Sequence, residues 1–426
     1  MNSRERVQLS INHQEPDRVP LDLGGSLVTG MNVSMVYRLR QALGLDVPGT
    51  PVKVIEPYQM LGEIGNDLAD ALGVDVVGLR HPRTMFGFRN DSAWKPWTTF
   101  DGTPVLVPLG FNTDPEPGGD ILMYPEGDKT VPPSGHMPKN GWYFDAIPRQ
   151  GPVDYDNLDP ADNTEEFEPI SDADLEYFRV EADRLYSESD RAIFADFGGT
   201  GFGDIALVPA AWRRLPPKGI RAVEDWYMAT AAEPDYVYAV FERQCEIALA
   251  NLEKLYAAVG NRISIIFVTG TDFGTQRGPF ISPAAYRKLY QPFHRQVNDW
   301  VHSHTTWKTF IHSCGSVMAL IPDFLDAGFD IMNPVQCSAA LMDPHELKRQ
   351  FGERVTFWGG GVDTQHTLPN GAPDAVRAQV AERIRIFGPG GGYVFNTIHN
   401  VQPLTPIENL VAMYETVREC GRYPLN

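Results

Sequence analysis

The chain has 426 residues, 42% of them hydrophobic, enough for a sizeable core in two or three average domains or in one large barrel. Its 36 basic and 55 acidic residues give a net charge of -19, which argues against a nucleic-acid partner, since phosphate backbones are bound through basic patches. No run approaches the roughly 18 apolar residues of a membrane span, and Met1-Asn2-Ser3-Arg4-Glu5-Arg6 lacks the apolar core of a signal peptide. Four cysteines (Cys245, Cys314, Cys337, Cys420) are too few for a disulfide framework, so the expectation is a cytoplasmic protein with reduced thiols and no membrane partner.

Ser3 to His13 predicts a short helix with Ser3 as its cap, broken by Glu15-Pro16-Asp17-Arg18-Val19-Pro20. Val19 to Leu23 reads as a strand ending in Gly24-Gly25, and Met35 to Leu43 and Leu68 to Leu72 as helical. From about 81 to 169 the texture changes to scattered Pro, Gly, Asp and aromatics. Short strand-like runs, Pro104 to Leu109 and Gly141 to Phe144, suggest hairpins, and the retained Trp94, Trp97, Trp142, Tyr143 and Phe144 argue for a folded β insertion. A lid and a surface elaboration are equal readings of it.

After Ser171 the pattern becomes regular. Helices are predicted over Asp174 to Ser187, Ala222 to Ala232, Tyr236 to Val259, Ser282 to about Ser303, Val317 to Ala327, from Asp343-Pro344, and over Asp374 to Phe387. Strands fall at Ala192 to Phe197, Ile263 to Val268, Thr309 to Ile311, Ile331 to Val335, Val355 to Trp358 and Tyr393 to Asn396. Thr405-Pro406-Ile407-Glu408 reads as a capping box for the last helix. Apolar strands alternating with helices imply βαβ units and a parallel sheet, and roughly eight such units fit a closed (β/α)8 barrel. An open doubly wound sheet is the alternative. No glycine-rich dinucleotide fingerprint follows the first strand, and Gly359-Gly360-Gly361 lacks the Lys-Ser/Thr of a phosphate loop.

In a parallel barrel the C-terminal strand ends share one mouth, which would gather Asp22, Asp196, Asp272, His312, Cys314, Gln336, Asp363 and His399. His312 and Cys314, two apart at a strand end, would point to one face, and both suit zinc or another divalent transition metal. His399 is the best third partner. Asp272 and Asp363 are candidates for a fourth ligand, an acceptor behind a ligand or a general base, although a strand-end Asp equally well caps the next helix. Asp22, Asp196 and Gln336 are candidates to bind substrate. Cys337 and Cys420 read as ordinary thiols, Cys245 as core, and Arg18 and Asp343-Pro344-His345 as turn and cap residues.

Five stretches, taken together in this order, carry a family resemblance: Asn12-His13-Gln14-Glu15-Pro16-Asp17-Arg18-Val19-Pro20, Gly278-Pro279-Phe280-Ile281-Ser282-Pro283, His312-Ser313-Cys314-Gly315, Gly359-Gly360-Gly361-Val362-Asp363 and Thr405-Pro406-Ile407-Glu408-Asn409. The set resembles the uroporphyrinogen decarboxylase superfamily, which implies a (β/α)8 TIM barrel spanning 1–426 with the 81–169 insertion unmatched. True decarboxylases of that superfamily carry an arginine-rich segment after the first strand; here the segment reads Asp22-Leu23-Gly24-Gly25-Ser26-Leu27-Val28-Thr29-Gly30, without arginine. The cobalamin-linked methyltransferase branch holds zinc on His-x-Cys plus a later Cys. His312 and Cys314 match, and the later position falls on His399.

Replacing one thiolate by an imidazole leaves the site with about one positive charge and makes the metal a stronger Lewis acid, better suited to an ether, hydroxyl or water oxygen. The resemblance therefore implies a demethylating methyltransferase acting on a small methoxylated or hydroxylated substrate. The corrinoid would come on a partner protein, since Asp343-Pro344-His345 is followed by Glu346-Leu347-Lys348 and not by the rest of a corrinoid-binding motif. A homodimer is implied as well. Two rival readings are a metal-dependent decarboxylase, lyase or hydrolase acting on a small acid, and a non-catalytic, metal-free small-molecule-binding barrel.

Overall fold

The computed structural model describes residues 1–91 and 93–425. Its centre is a seven-stranded, all-parallel sheet built of β1 (Val76–Leu79), β2 (Ala192–Ala195), β3 (Ile265–Thr269), β4 (Lys308–His312), β5 (Ile331–Asn333), β6 (Thr356–Trp358) and β7 (Tyr393–Val394). The strands lie in chain order across the sheet, and helices fill each connection. The strands are short and mostly apolar because both faces are covered.

The sheet is strongly curled. Phe194 of β2 and Trp358 of β6 stand four strands apart, about 19 Å in a flat sheet, yet their ring centroids lie 5.6 Å apart. Phe310 of β4 completes the layer at 4.7 Å from Phe194. Side chains from alternate strands meeting in one layer are the packing expected inside a barrel. Val7 of the first helix (Ser3–Ser10) and Ile11, its C-cap, join this inner cluster. The predicted strand at Val19 to Leu23 is reduced to one bridge, Leu21 to Phe395, because Pro20 has no N–H to donate. The segment nonetheless bonds to both sheet edges. Asp22 donates its N–H to Phe395 O and Phe395 donates to Pro20 O on one side, and Asp75 donates to Leu21 O on the other. Arg18 is more than a turn residue: with Arg6 it pairs the fully buried Asp75 beneath this edge.

The β character expected around 81–169 is present, with different partners. Trp94–Thr98 and Pro104–Pro108 pair with each other, and Pro104–Pro108 continues in parallel onto Val52–Glu56, a strand the sequence reading missed. A second small sheet joins Ile121–Met123, Gly135–Met137 and Asp145–Ala146. Gly141 to Phe144 is not a strand; Phe144 instead packs edge-on against Phe86 and Phe111.

Helix boundaries follow local chemistry. Asn2, not Ser3, caps the first helix through a reciprocal bond with Glu5. Ser282 Oγ caps Pro283–Leu289, and a new helix, Gln291–His304 with Pro292 in its first turn, begins where one long helix was expected. The helix expected from Val317 begins at Ile321. Thr405 forms no capping box: its hydroxyl donates to Gln402 O, and the last helix (Ile407–Cys420) starts after Pro406 with no side-chain cap.

Candidate metal centre

His312 is the last residue of β4, and the loop that follows is held by bonds to both neighbouring strand ends. Ser313 donates its N–H to Asn333 O, and its hydroxyl accepts the Phe273 N–H at 2.9 Å. Cys314 donates its N–H to Asp272 Oδ1 at 2.7 Å, and Gly315 donates to Gln336 Oε1 at 2.7 Å. The two loops can approach this closely because glycine faces glycine. A Cβ on Gly315 would lie 2.5 Å from the Gly274 carbonyl, and Gly315 has φ +85.

This scaffold brings His312, Cys314 and His399 together, with one donor atom of each inside a 4.8 Å span. His312 Nε2 lies 3.4 Å from Cys314 Sγ. Two such ligands on a tetrahedral zinc, with bonds of about 2.0–2.1 and 2.3 Å, stand about 3.5 Å apart, so the pair already has the required separation. His399 reaches the site on a backbone with φ 68, its carbonyl accepting the Thr397 hydroxyl at 2.5 Å. The rings of His312 and His399 meet edge to face at 5.2 Å. His399 Nδ1 accepts the Asn400 N–H at 2.8 Å, so on joining a metal this ring must either present that nitrogen or give up the bond. Asp272 Oδ1 lies 3.9 Å from His312 Nε2. The donor set therefore fits a borderline divalent ion with a fourth position left for water or substrate.

Burial sets the protonation of this cluster. It pushes the His312 imidazole down to about 4 and lowers His399 as well, where the neighbouring His312 adds to the effect. It raises the Cys314 thiol well above its ordinary value, with the Asp272 carboxylate adding to the shift, and raises Asp272 too. A divalent cation would reverse the sense for Cys314 and Asp272 by giving each anion a counter-charge.

His312, His399 and Asp272 line a cavity of about 1020 Å³, together with Asp196, Asp204, Glu56 and Tyr58. Desolvation pushes Asp196 up to about 6, and Glu56 and Asp204 up to about 7. Of the other predicted residues, Asp22 accepts the Trp358 indole N–H at 2.9 Å and the Gly25 N–H at 2.8 Å, buried beneath the mouth. Gln336 braces the loops, bonding Gly315 and Gln276. Asp363 does not line the cavity, and its carboxylate accepts the Gln365 N–H at 2.8 Å. Three residues were missed. Glu56 ends an unread strand, and Asp204 sits in an aperiodic loop. Asn333 was hidden because the strand Ile331–Asn333 was read two residues too long, which directed attention to Gln336.

Fold and site together define an α/β protein with a curled parallel sheet and a candidate His2Cys metal centre at its strand ends. Residues 218–420 match the family model described as Uroporphyrinogen decarboxylase (URO-D). A uroporphyrinogen decarboxylase of Coxiella burnetii is 34% identical over 76 residues, 18% of this chain and 20% of that protein. The methylcobamide:CoM methyltransferase MtaA of Methanosarcina barkeri is 26% identical over 137 residues, 31% of this chain and 36% of that protein. These matches thus span between a fifth and about a third of the curated relatives' length. A solved methyltransferase from Methanosarcina mazei superposes with a TM-score of 0.54 at 15% identity, covering 98% of this chain and 99% of that one. The C-terminal half of the chain thus resembles the uroporphyrinogen decarboxylase family, with partial similarity both to a decarboxylase and to a cobamide-dependent methyltransferase, and its fold is that of a solved methyltransferase.

Proposed function

We propose that this chain is a corrinoid-linked methyltransferase that moves a methyl group between a small methoxylated or hydroxylated substrate in the cavity and a corrinoid protein docking at the mouth. The observation that carries this reading is the meeting of one donor atom each from His312, Cys314 and His399 within 4.8 Å, on residues that wall or adjoin a cavity of about 1020 Å³. The name of the Methanosarcina barkeri relative, which ties methyl transfer to a cobamide, supports it. Zinc, or another divalent transition metal, held by these three residues would supply Lewis acidity toward a substrate oxygen.

The chain's own groups do the rest. With His312 and His399 neutral and Cys314 as the one thiolate, these residues would leave a bound divalent ion with a net positive charge. Asp272 holds the Cys314 loop through Oδ1 and, with Asp196 and Asp204 in the same wall, offers carboxyl groups that take up or return the proton of the leaving oxygen. Asp272 is the better candidate for that role than Asp363, whose carboxylate is spent on its own turn. The fold belongs to the same reading, an eight-membered barrel with Pro20–Asp22 as its first position and the β-rich stretch beside the mouth as an insertion.

The test is metal content of protein purified without added metal, beside Cys314→Ala and His399→Ala, followed by product analysis with and without a methyl-accepting corrinoid. Near-stoichiometric zinc lost in both variants, and demethylated product formed only with the corrinoid, is the expected result. Metal retained in His399→Ala would move the third ligand to Asp272. No metal even after reconstitution would sink the mechanism, and product formed without corrinoid would favour hydrolysis or decarboxylation.

A further inference from the structure

His312 Nδ1 stands 2.5 Å from Asn333 Oδ1, with both side chains buried away from water, at 3% and 0% exposure. The pairing is built into the sheet: His312 and Asn333 are register partners at the ends of β4 and β5. The next strand end fixes which way the Asn333 amide points. Its Nδ2 donates to Trp358 O at 2.8 Å, and a carbonyl can only accept. The amide oxygen therefore faces the imidazole, and the facing ring nitrogen must carry the proton. Were Nδ1 bare, two lone pairs would meet at 2.5 Å with no water to separate them.

We propose that Asn333, anchored on Trp358 O, is the positioning residue that holds His312 as the Nδ1–H tautomer and so leaves Nε2, the nitrogen 3.4 Å from Cys314 Sγ, as a free lone pair for a metal. The metal part of this inference rests on the proposed metal centre; the tautomer does not. The anchoring extends further round the mouth. The Trp358 indole donates to Asp22 Oδ2, and Asn396 Nδ2 donates to Asp22 O, so the orientation of one imidazole is tied to the end of β6, to the Pro20–Asp22 segment and to the residues after β7. His399 is held differently. Its Nδ1 accepts a backbone N–H, which puts the proton of the neutral ring on Nε2. The two imidazoles are thus held in opposite tautomers before metal arrives.

The experiment uses the full chain labelled with 15N-histidine, metal-free, with the His312 signals assigned by their loss in His312→Gln. Long-range 1H–15N spectra read the tautomer directly. Zinc affinity is then measured by chelator competition for wild type and Asn333→Ala. The expected result is Nδ1–H in the wild type and about 10–100-fold weaker zinc binding in Asn333→Ala. An Nε2–H signal for wild-type His312 would overturn the proposal whether or not the variants fold. Equal zinc affinity in folded Asn333→Ala would overturn it too. A wild type that shows Nδ1–H but binds no zinc would overturn the metal centre and leave the tautomer assignment standing.

Discussion

Cys314 lies where burial and the Asp272 carboxylate both oppose its thiolate, while His312 beside it is already neutral. Metal binding must therefore expel the thiol proton and need expel none from His312. Zinc titration at pH 7 in buffers of different ionisation enthalpy is expected to show release of about one proton per ion. Release of two would mean that an imidazole was charged. Away from the centre, His294 is fully buried, with Tyr286 Oη at Nδ1, and desolvation pushes it down to about 3. The folded state prefers this ring neutral. Its contribution is present above the unfolded value near 6.5 and is lost as pH falls toward 3, on the order of 3–5 kcal/mol for one such group. His294→Phe should cost some stability at pH 7 through the unpaired Tyr286 hydroxyl, yet show a shallower loss of denaturation midpoint between pH 6.5 and 4. An unchanged slope would move the acid sensitivity to other groups.

Loops and strand ends are where the site is assembled, and their tolerances are small. Gly274 and Gly315 let the loops after β3 and β4 touch, with a Cβ on Gly274 meeting Cys314 O at 2.5 Å. Gly315→Ala has to bear both that crowding and a left-handed backbone, so a loss of about 2–4 kcal/mol is expected, with metal lost before the fold. Denaturant midpoint and metal content on the same sample check this; full metal occupancy would show that the loops can part without harm. The strand ends also explain what was legible. His312 and Cys314 announced themselves because an apolar run stopped at His-x-Cys-Gly. Asn333 did not, because Pro334 and Val335 continue the apolar texture of β5 after its ladder has ended. Asp22 and Asp363 were sensible strand-end candidates that local geometry diverted, one to a tryptophan N–H and one to a turn.

At the scale of the whole molecule, the Pro20–Asp22 segment is where the two edges of the curled sheet meet. Pro20–Asp22 bonds to β7's extension at Phe395 and to Asp75 ahead of β1. If this segment completes an eight-membered ring, the amides of Asp22, Asp75 and Phe395 should resist hydrogen exchange as strongly as those of the central strands. Fast exchange there would mean an open edge. Among the described residues no helix is long and apolar enough to cross a membrane.

The order of strands and helices, the metal-competent residue types and the glycines at strand ends could be read from the chain alone. Each is a local pattern of period, ligand chemistry or backbone freedom. The tertiary structure decided which of the strand-end groups converge. His399 stands 87 positions beyond His312 in the chain, and only the curl of the sheet brings its imidazole to 5.2 Å. Which side chain faces the cavity changes with a shift of one residue in a strand's end, and that end is set by long-range pairing. The same pairing chose Asn333 as the partner of His312, gathered Glu56 and Asp204 into the cavity wall, and left Asp363 outside it.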